Sequence, residues 1–482
     1  MTALSNTLPN SPEKLNNLAL STTAAEGLDL VRAPSAPPPP APPARDDIDE
    51  SAWIHEKSLE RGVECDRLAE DVAEAIEEFE YPEGGYGWIV VGCCMTFAAL
   101  TMGWGVAWGV FQAHYAEYTF PEQASKLSII GGLFALFQNT TSFVAGKIGD
   151  KFGFKRVLFV SVFVYWLALF LASWSTKLWQ ITLTQGVLTG IGVGICQPMF
   201  FSLPSQWFYR KRGLASGLAI AGAGFGGAIG TLIIRALLKA IGPHKTLLIY
   251  SFINLTLMTA ATLLVRTQPK SPEARAKGKG PWFDKRVWRL VSFHFLALCL
   301  LLNTFGYSTV LFFLTQYIKQ VRGVPSNDIL GALPLSLLNF CAGVGRISIG
   351  YAADKIGAMN TFVFVCMASA AAILALWLPS TTYNVIVAFG VIYGLIAPTY
   401  YTLIPMAAAE VFGPDNLASN IGVVLLFTAP AGLGGGLVGG QILEKTGEWK
   451  WLIVYGALLH AAAGVCISIT RLMIDKRIWV KV

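Results

Sequence analysis

Arg346 is a single cation inside a long apolar run, 328–350. A guanidinium stays charged at any working pH and offers a planar fork that fits a carboxylate. Placing it at the centre of a hydrocarbon layer costs at least roughly 2.5–3.5 kcal/mol on insertion scales. A charge at that cost points to an anchor for an anionic group. The other reading is an arginine near its span end that reaches the interface or pairs with Asp354, two turns on. Asp354 belongs to a motif that occurs twice. Gly146-Lys-Ile-Gly-Asp150-Lys151-Phe-Gly153-Phe-Lys-Arg156 has its core repeated 204 residues later as Gly350-Tyr-Ala-Ala-Asp354-Lys-Ile-Gly357. In each, the carboxylate is placed to pair with a basic neighbour or a helix N-terminus. Gly146, Asp150, Lys151, Gly153, Arg156, Gly350 and Asp354 are therefore the candidate conformational switch. Trp104, Trp108, Asn303, Tyr307, Asn339, Tyr400 and Tyr401, with Arg346, are the candidate binding residues, and Gln112, Gln138 and Asn139 are further polar candidates to line a cavity. Each taken singly also fits plain interhelical packing. Together they suggest a substrate larger and flatter than lactate, because aromatic rings supply stacking area. Glu410 is a weaker candidate for carrying a proton.

Other chemistries find no footing. The five histidines (His55, His114, His244, His294, His460) form no HExxH pattern, no P-loop lysine motif occurs, and the eight cysteines contain no CxxC. The expectation is a protein that is not an enzyme and takes no metal or other cofactor. Asn139-Thr-Thr141 matches a glycosylation sequon but falls in a span.

The elements that must position these residues are membrane helices. Of 482 residues 54% are hydrophobic and only 14% charged, against about 25% charged in soluble proteins. Twelve apolar segments can be drawn, at 88–113, 127–145, 157–175, 178–199, 214–234, 246–265, 289–317, 328–350, 360–379, 384–407, 418–440 and 450–470. Each is long enough to cross about 30 Å of hydrocarbon. Charge is partitioned to match. Residues 1–85 hold 6 Lys/Arg against 18 Asp/Glu, and the remainder 30 against 12. In the membrane part, the even-numbered loops and the C-terminal tail carry 20 Lys/Arg, the odd-numbered loops 9. The positive-inside rule puts both termini in the cytoplasm. The basic balance is thus membrane topology and not nucleic-acid binding; the partners expected are a bilayer and a small-molecule substrate. No apolar signal-peptide core is expected within residues 1–81.

Along the chain, residues 1–85 read as an acidic, largely disordered leader, Pro-rich at Pro37–Pro40, with an amphipathic helical pattern over 51–80. A six-span half follows (86–265), then a polar linker (266–286), a second half (287–471) and a short tail (472–482). Gly222, Gly226 and Gly230 recur every fourth residue, a stripe that lets another helix pack closely. The halves echo each other: Trp88 and Trp288, Asp150 and Asp354, Pro198-Met-Phe-Phe-Ser-Leu203 and Pro398-Thr-Tyr-Tyr-Thr-Leu403, Leu214-Ala-Ser216 and Leu417-Ala-Ser419, at offsets of 200, 204, 200 and 203. A direct repeat of six spans is a transporter architecture, with the site between the halves near the midplane. The fold class is all-α polytopic membrane protein, twelve helices in two six-helix repeats.

The Gly146–Arg156 loop resembles the loop 2–3 signature of the major facilitator superfamily. Glu83-Gly-Gly-Tyr-Gly-Trp88 resembles the motif leading into the first span of the monocarboxylate porter family within it. Trp207-Phe-Tyr-Arg-Lys-Arg-Gly-Leu-Ala-Ser-Gly217, running into Ala221-Gly222, resembles that family's second signature. The acidic leader is similar to that of fungal members. The resemblance covers about 85–475. It implies alternating access around one central site, for small organic acids, vitamins or secondary metabolites, in a cell membrane, most simply the plasma membrane. Export of a secondary metabolite is one form of this. A non-transporting nutrient receptor of the same fold is the other class. Two positions depart from the porter pattern. The relay lysine of span 1 is Val106 here, and the aspartate one turn before the span 8 arginine is Ala342. The resemblance therefore does not extend to the usual proton relay.

Overall fold

The computed structural model describes residues 81–268, 288–322, 329–413 and 416–476, all within one compact unit, Glu78–Val482. The readings of the leader up to residue 80, of the linker beyond 268 and of the tail beyond 476 lie outside the described residues.

Among the described residues, eleven continuous helical stretches are long and apolar enough to cross a bilayer. One, Arg212–Leu264, has 53 residues, where a crossing needs about 20. It breaks at Gly242, whose φ of 77° and ψ of 173° suit only glycine, and restarts on Pro243. Proline is preset for a first helical turn and needs no N–H there. The expected loop around 235–245 is thus a helical hairpin corner, and the spans number twelve. They are α1 (Tyr86–Thr119), α2 (Lys126–Phe152), α3 (Phe154–Ala172), α4 (Leu178–Trp207), α5 (212–241), α6 (243–264), α7 (Val291–Gln320), α8 (Leu333–Ile356), α9 (Ala358–Trp377), α10 (Tyr383–Phe412), α11 (Leu417–Thr446) and α12 (Trp449–Ile474). Gly153 (φ 94°) and Gly357 (φ 102°) make the equivalent corners α2–α3 and α8–α9. Both copies of the loop motif therefore turn on a left-handed glycine.

Large apolar side chains point outward. Phe163, Leu232, Leu437 and Leu458 are each more than half exposed, as lipid-facing residues are. With no hydrophobic drive between helices in lipid, close packing holds the bundle together. In the first half, α1 lies on α5: a Cβ at Gly222 would strike the Met95 carbonyl, and one at Gly226 would sit 2.5 Å from the Ala99 backbone. Gly230 has nothing within 4 Å, so the expected stripe is two glycines long and serves an intra-half contact.

The halves meet along two glycine-lined seams. In one, α2 packs on α11: a Cβ at Gly146 would collide with the Ala418 carbonyl, one at Gly422 with that of Ser142, and one at Gly132 would come 2.5 Å from Leu433. In the other, α5 packs on α8. Gly213 and Gly350 each face the other's carbonyl, Gly217 faces that of Arg346, and Gly224 lies against the Gly343 amide.

Candidate functional site

Both seams end, on the face carrying the Gly146–Arg156 loop, in a carboxylate set on a helix start. The first turn of a helix has backbone N–H groups without intrahelical partners. α5 begins after Lys211 and α11 after Asn416, and neither residue caps its own helix with its side chain. The cap comes from the opposite half. Asp354, at the end of α8, accepts from the Gly213 N–H (2.6 Å) and the Leu214 N–H (2.8 Å) of α5. Asp150, at the end of α2, accepts from the N–H (2.7 Å) and the hydroxyl (2.6 Å) of Ser419 in α11. Negative charge at the positive end of a helix is favourable. The motif carboxylates thus act as N-caps in trans. Lys151 lies over the Phe152 ring at 5.5 Å, and Arg156 is exposed in the first turn of α3.

Arg346 sits on the same α8 face, two turns deeper and 5% exposed. It does not take the snorkelling role. Its Nη1–H donates to the Ile220 carbonyl of α5 (3.1 Å), across the seam, and its Nε–H reaches the Pro398 carbonyl of α10 at 3.4 Å. The second acceptor exists because α10 is broken there: a 3-10 turn, Ala397–Thr399, interrupts its ladder. Tyr307, Tyr401 and Tyr400 lie within electrostatic range of the guanidinium. Their rings form one cluster. Tyr400 and Tyr401 are 4.3 Å apart, and Tyr307 meets Tyr400 edge-on at 6.1 Å. Tyr401 also meets Phe201 of α4 at 6.5 Å. These two are repeat counterparts, so their contact marks the pseudo-twofold axis between the halves.

Arg346, Tyr307, Tyr400 and Tyr401 are thus brought together, and Asn339 lies close by on the α5–α8 seam, where its carbonyl faces Gly224. Three other expected residues are elsewhere. Trp104 is 1% exposed and stacks on Tyr250 of α6 at 5.2 Å, inside the first half. Trp108 is buried against Gly131 of α2. Asn303 accepts from His460 Nδ1 (2.7 Å), while His460 Nε2 takes the Tyr393 hydroxyl (2.8 Å). Asn303 therefore orients His460 between α7, α10 and α12 and does not line the seam. These three fill the large, closely packed volume inside each half. Gln112 ties α1 to α2 through Ser128, and Glu410 is exposed at the end of α10.

The first half has a neutral cluster where the second has Arg346. Ser142, the repeat counterpart of Arg346, donates to the Gly194 carbonyl (3.1 Å), and Gln138 Nε2 donates to Gln197 Oε1 (2.9 Å). The trans caps and the Ile220 and Pro398 carbonyls were not named from sequence. One signal was available: α5 starts at Lys211, a poor capping residue, so its first amides needed a partner from outside.

Among known proteins, the Major Facilitator Superfamily pattern matches residues 93–432. The chain is 29% identical over 408 residues to an MFS-type transporter of Gibberella moniliformis, covering 84% of this chain and 95% of that one. It is 30% identical over 384 residues to the agnestins efflux protein of Paecilomyces divaricatus, covering 79% and 86%. Among solved structures it is similar to the Escherichia coli fucose:proton symporter, with a TM-score of 0.62 at 13% identity, over 80% of this chain and 98% of that one.

Proposed function

The chain belongs to the Major Facilitator Superfamily, and on that premise we propose that it is a secondary transporter that exports an aromatic, carboxylate-bearing metabolite by alternating access. The observation that carries this reading is Arg346. A cation that spans both halves through backbone carbonyls, with three tyrosines in electrostatic range, has no carboxylate among the acceptors named above. An anionic substrate would supply one and would find ring faces to stack on. Because the guanidinium contacts Ile220 of one half and Pro398 of the other, a ligand that takes over its donors competes with the contact between the halves. That competition is a direct link from binding to rocking. The trans caps of Asp150 and Asp354 are then the gate on the closed face. The efflux name of the agnestins relative favours export over uptake. The motif pair around Glu83–Trp88 and Trp207–Gly217 favours a porter of the monocarboxylate type, and the 20-to-9 basic bias favours cytoplasmic termini.

The test is transport of labelled aromatic and aliphatic acids in inside-out vesicles, with and without a pH gradient. Accumulation of an aromatic acid is expected, with weak dependence on the gradient. The relay positions hold Val106, packed on Gly227, and Ala342, which is buried; neither can exchange a proton. Steep proton-driven accumulation would overturn that part, and no transport of any acid would overturn the substrate class. Terminal tags should resist external protease in intact cells.

A further inference from the structure

We propose that Glu83 is a positioning residue of the gate: it holds the α4–α5 corner so that the first turn of α5 meets Asp354. This makes the chain ahead of α1 a handle on the junction between the halves. The inference rests on the gate reading of the trans caps.

Glu83 Oε1 accepts from the Tyr209 N–H (2.7 Å) and the Arg210 N–H (2.6 Å), and the Glu83 N–H donates to the Trp207 carbonyl (3.1 Å). Three and four residues further on, the Gly213 and Leu214 amides go to Asp354. Four amides within 209–214 are therefore fixed by two carboxylates, one from each half. Lys211, between the two pairs, supplies no cap of its own. The register has no slack, because Gly213 lies against the Gly350 carbonyl and tolerates no Cβ. A small rotation of the corner moves the amides off Asp354 or drives two backbones together.

Glu83 itself sits at φ 46°. A non-glycine residue in that region persists only where its surroundings over-determine it, and such outliers gather at switches. The surroundings here do so. Tyr81 stacks on Tyr209 at 5.5 Å, Trp88 lies on Phe208 at 4.6 Å, and a Cβ at Gly87 would come 3.0 Å from the Phe208 ring. The Tyr86 hydroxyl donates to the Leu264 carbonyl at 2.7 Å, which ties the same segment to the end of α6. Every one of these contacts lies inside the first half. The Tyr81 stack touches the Tyr209 ring, whereas the two bonds from Glu83 Oε1 hold backbone amides of the segment that the other half grips.

The test uses Ser216→Cys in the full-length chain with its native cysteines replaced. Ser216 is fully buried on α5, with a hydroxyl that has no hydrogen-bond partner, and it shares the helical face of Gly213, Ile220 and Gly224. Labelling by an impermeant maleimide in inside-out vesicles then reports opening of the α5–α8 seam. D354N is expected to raise the labelling rate, and E83Q to raise it about threefold, within the range a lost cap covers. In the D354N background E83Q should add nothing, because the cap it positions is already gone. Y86F, which removes the Leu264 bond of the same segment, should leave labelling unchanged. E83Q labelling at the parental rate, or a full additional increase on top of D354N, would overturn the proposal. If D354N itself does not raise labelling, the gate reading fails and this inference falls with it. Should E83Q not accumulate in the membrane, E83D retains the carboxylate, shortened by one carbon, and reads the same epistasis.

Discussion

The two seams between the halves are built from one repeat and do different work. At α2–α11 and at α5–α8 a motif aspartate caps the opposing helix, and a motif glycine, Gly146 or Gly350, lets the backbones touch. One turn and more inward they part company. The α2–α11 seam has Ser142, whose hydrogen bonds stay inside its own half. The α5–α8 seam has Arg346, which donates across the junction to Ile220. The caps differ too. Asp150 uses the Ser419 hydroxyl, whereas the counterpart of that residue, Ser216, has an unpartnered hydroxyl because Asp354 takes two backbone amides instead. Caps and glycines stand at both seams, and a buried arginine at the α5–α8 seam. On the function proposed, what both seams share is gating and what one alone has is recognition.

The largest test of this division sets Arg346 against Ser142. Arg346→Ala should lower transport of an anionic substrate about 30-fold or more, the range for truncating one side of a buried charge contact, with expression retained. Ser142→Ala, at the equivalent place, should change transport less than about threefold, since it removes one neutral hydrogen bond. Equal losses would erase the distinction between the seams.

The next effect concerns the glycines. Gly217→Ala and Gly422→Ala overpack the two seams and should each shift the gate towards open about 5- to 150-fold, the range for inserting a methyl into a filled contact. Gly230→Ala, with open space around it, should leave both gate and expression unchanged. Maleimide labelling of Ser216→Cys reads the α5–α8 seam directly.

The smallest expected shift comes from the caps. D150N and D354N keep an acceptor but lose the charge opposite the helix start, so each should open the gate about 2- to 30-fold. The double variant should be close to additive, because the caps sit on different seams. Strong non-additivity would mean that the seams open together and that the comparison between them is one of position only.

Much of this was legible in the sequence. Twelve spans follow from hydropathy, because each helix must satisfy its own backbone in lipid and needs about 20 apolar residues to do it. The repeat, the motif aspartates, Arg346 and the tyrosines are local signals, and the structure assembles the last three at the junction. Other readings missed for a common reason. Gly222, Gly226 and Gly230 look alike in sequence, yet only the first two have a helix against them. Trp104 and Asn303 carry the same chemistry as the residues around Arg346, yet they point into the interior of a half.

The sequence by itself therefore determined the class, the span count, the twofold repeat and which residues could carry charge into the membrane, because these depend on composition and spacing along one helix. Tertiary structure alone decided which glycines touch a neighbour, which helix start receives which carboxylate, and which carbonyls hold Arg346. Each of those is a contact between segments far apart in the chain, such as Asp150 with Ser419, 269 residues on. A donor and its acceptor carry no mark of each other until packing brings both to one place.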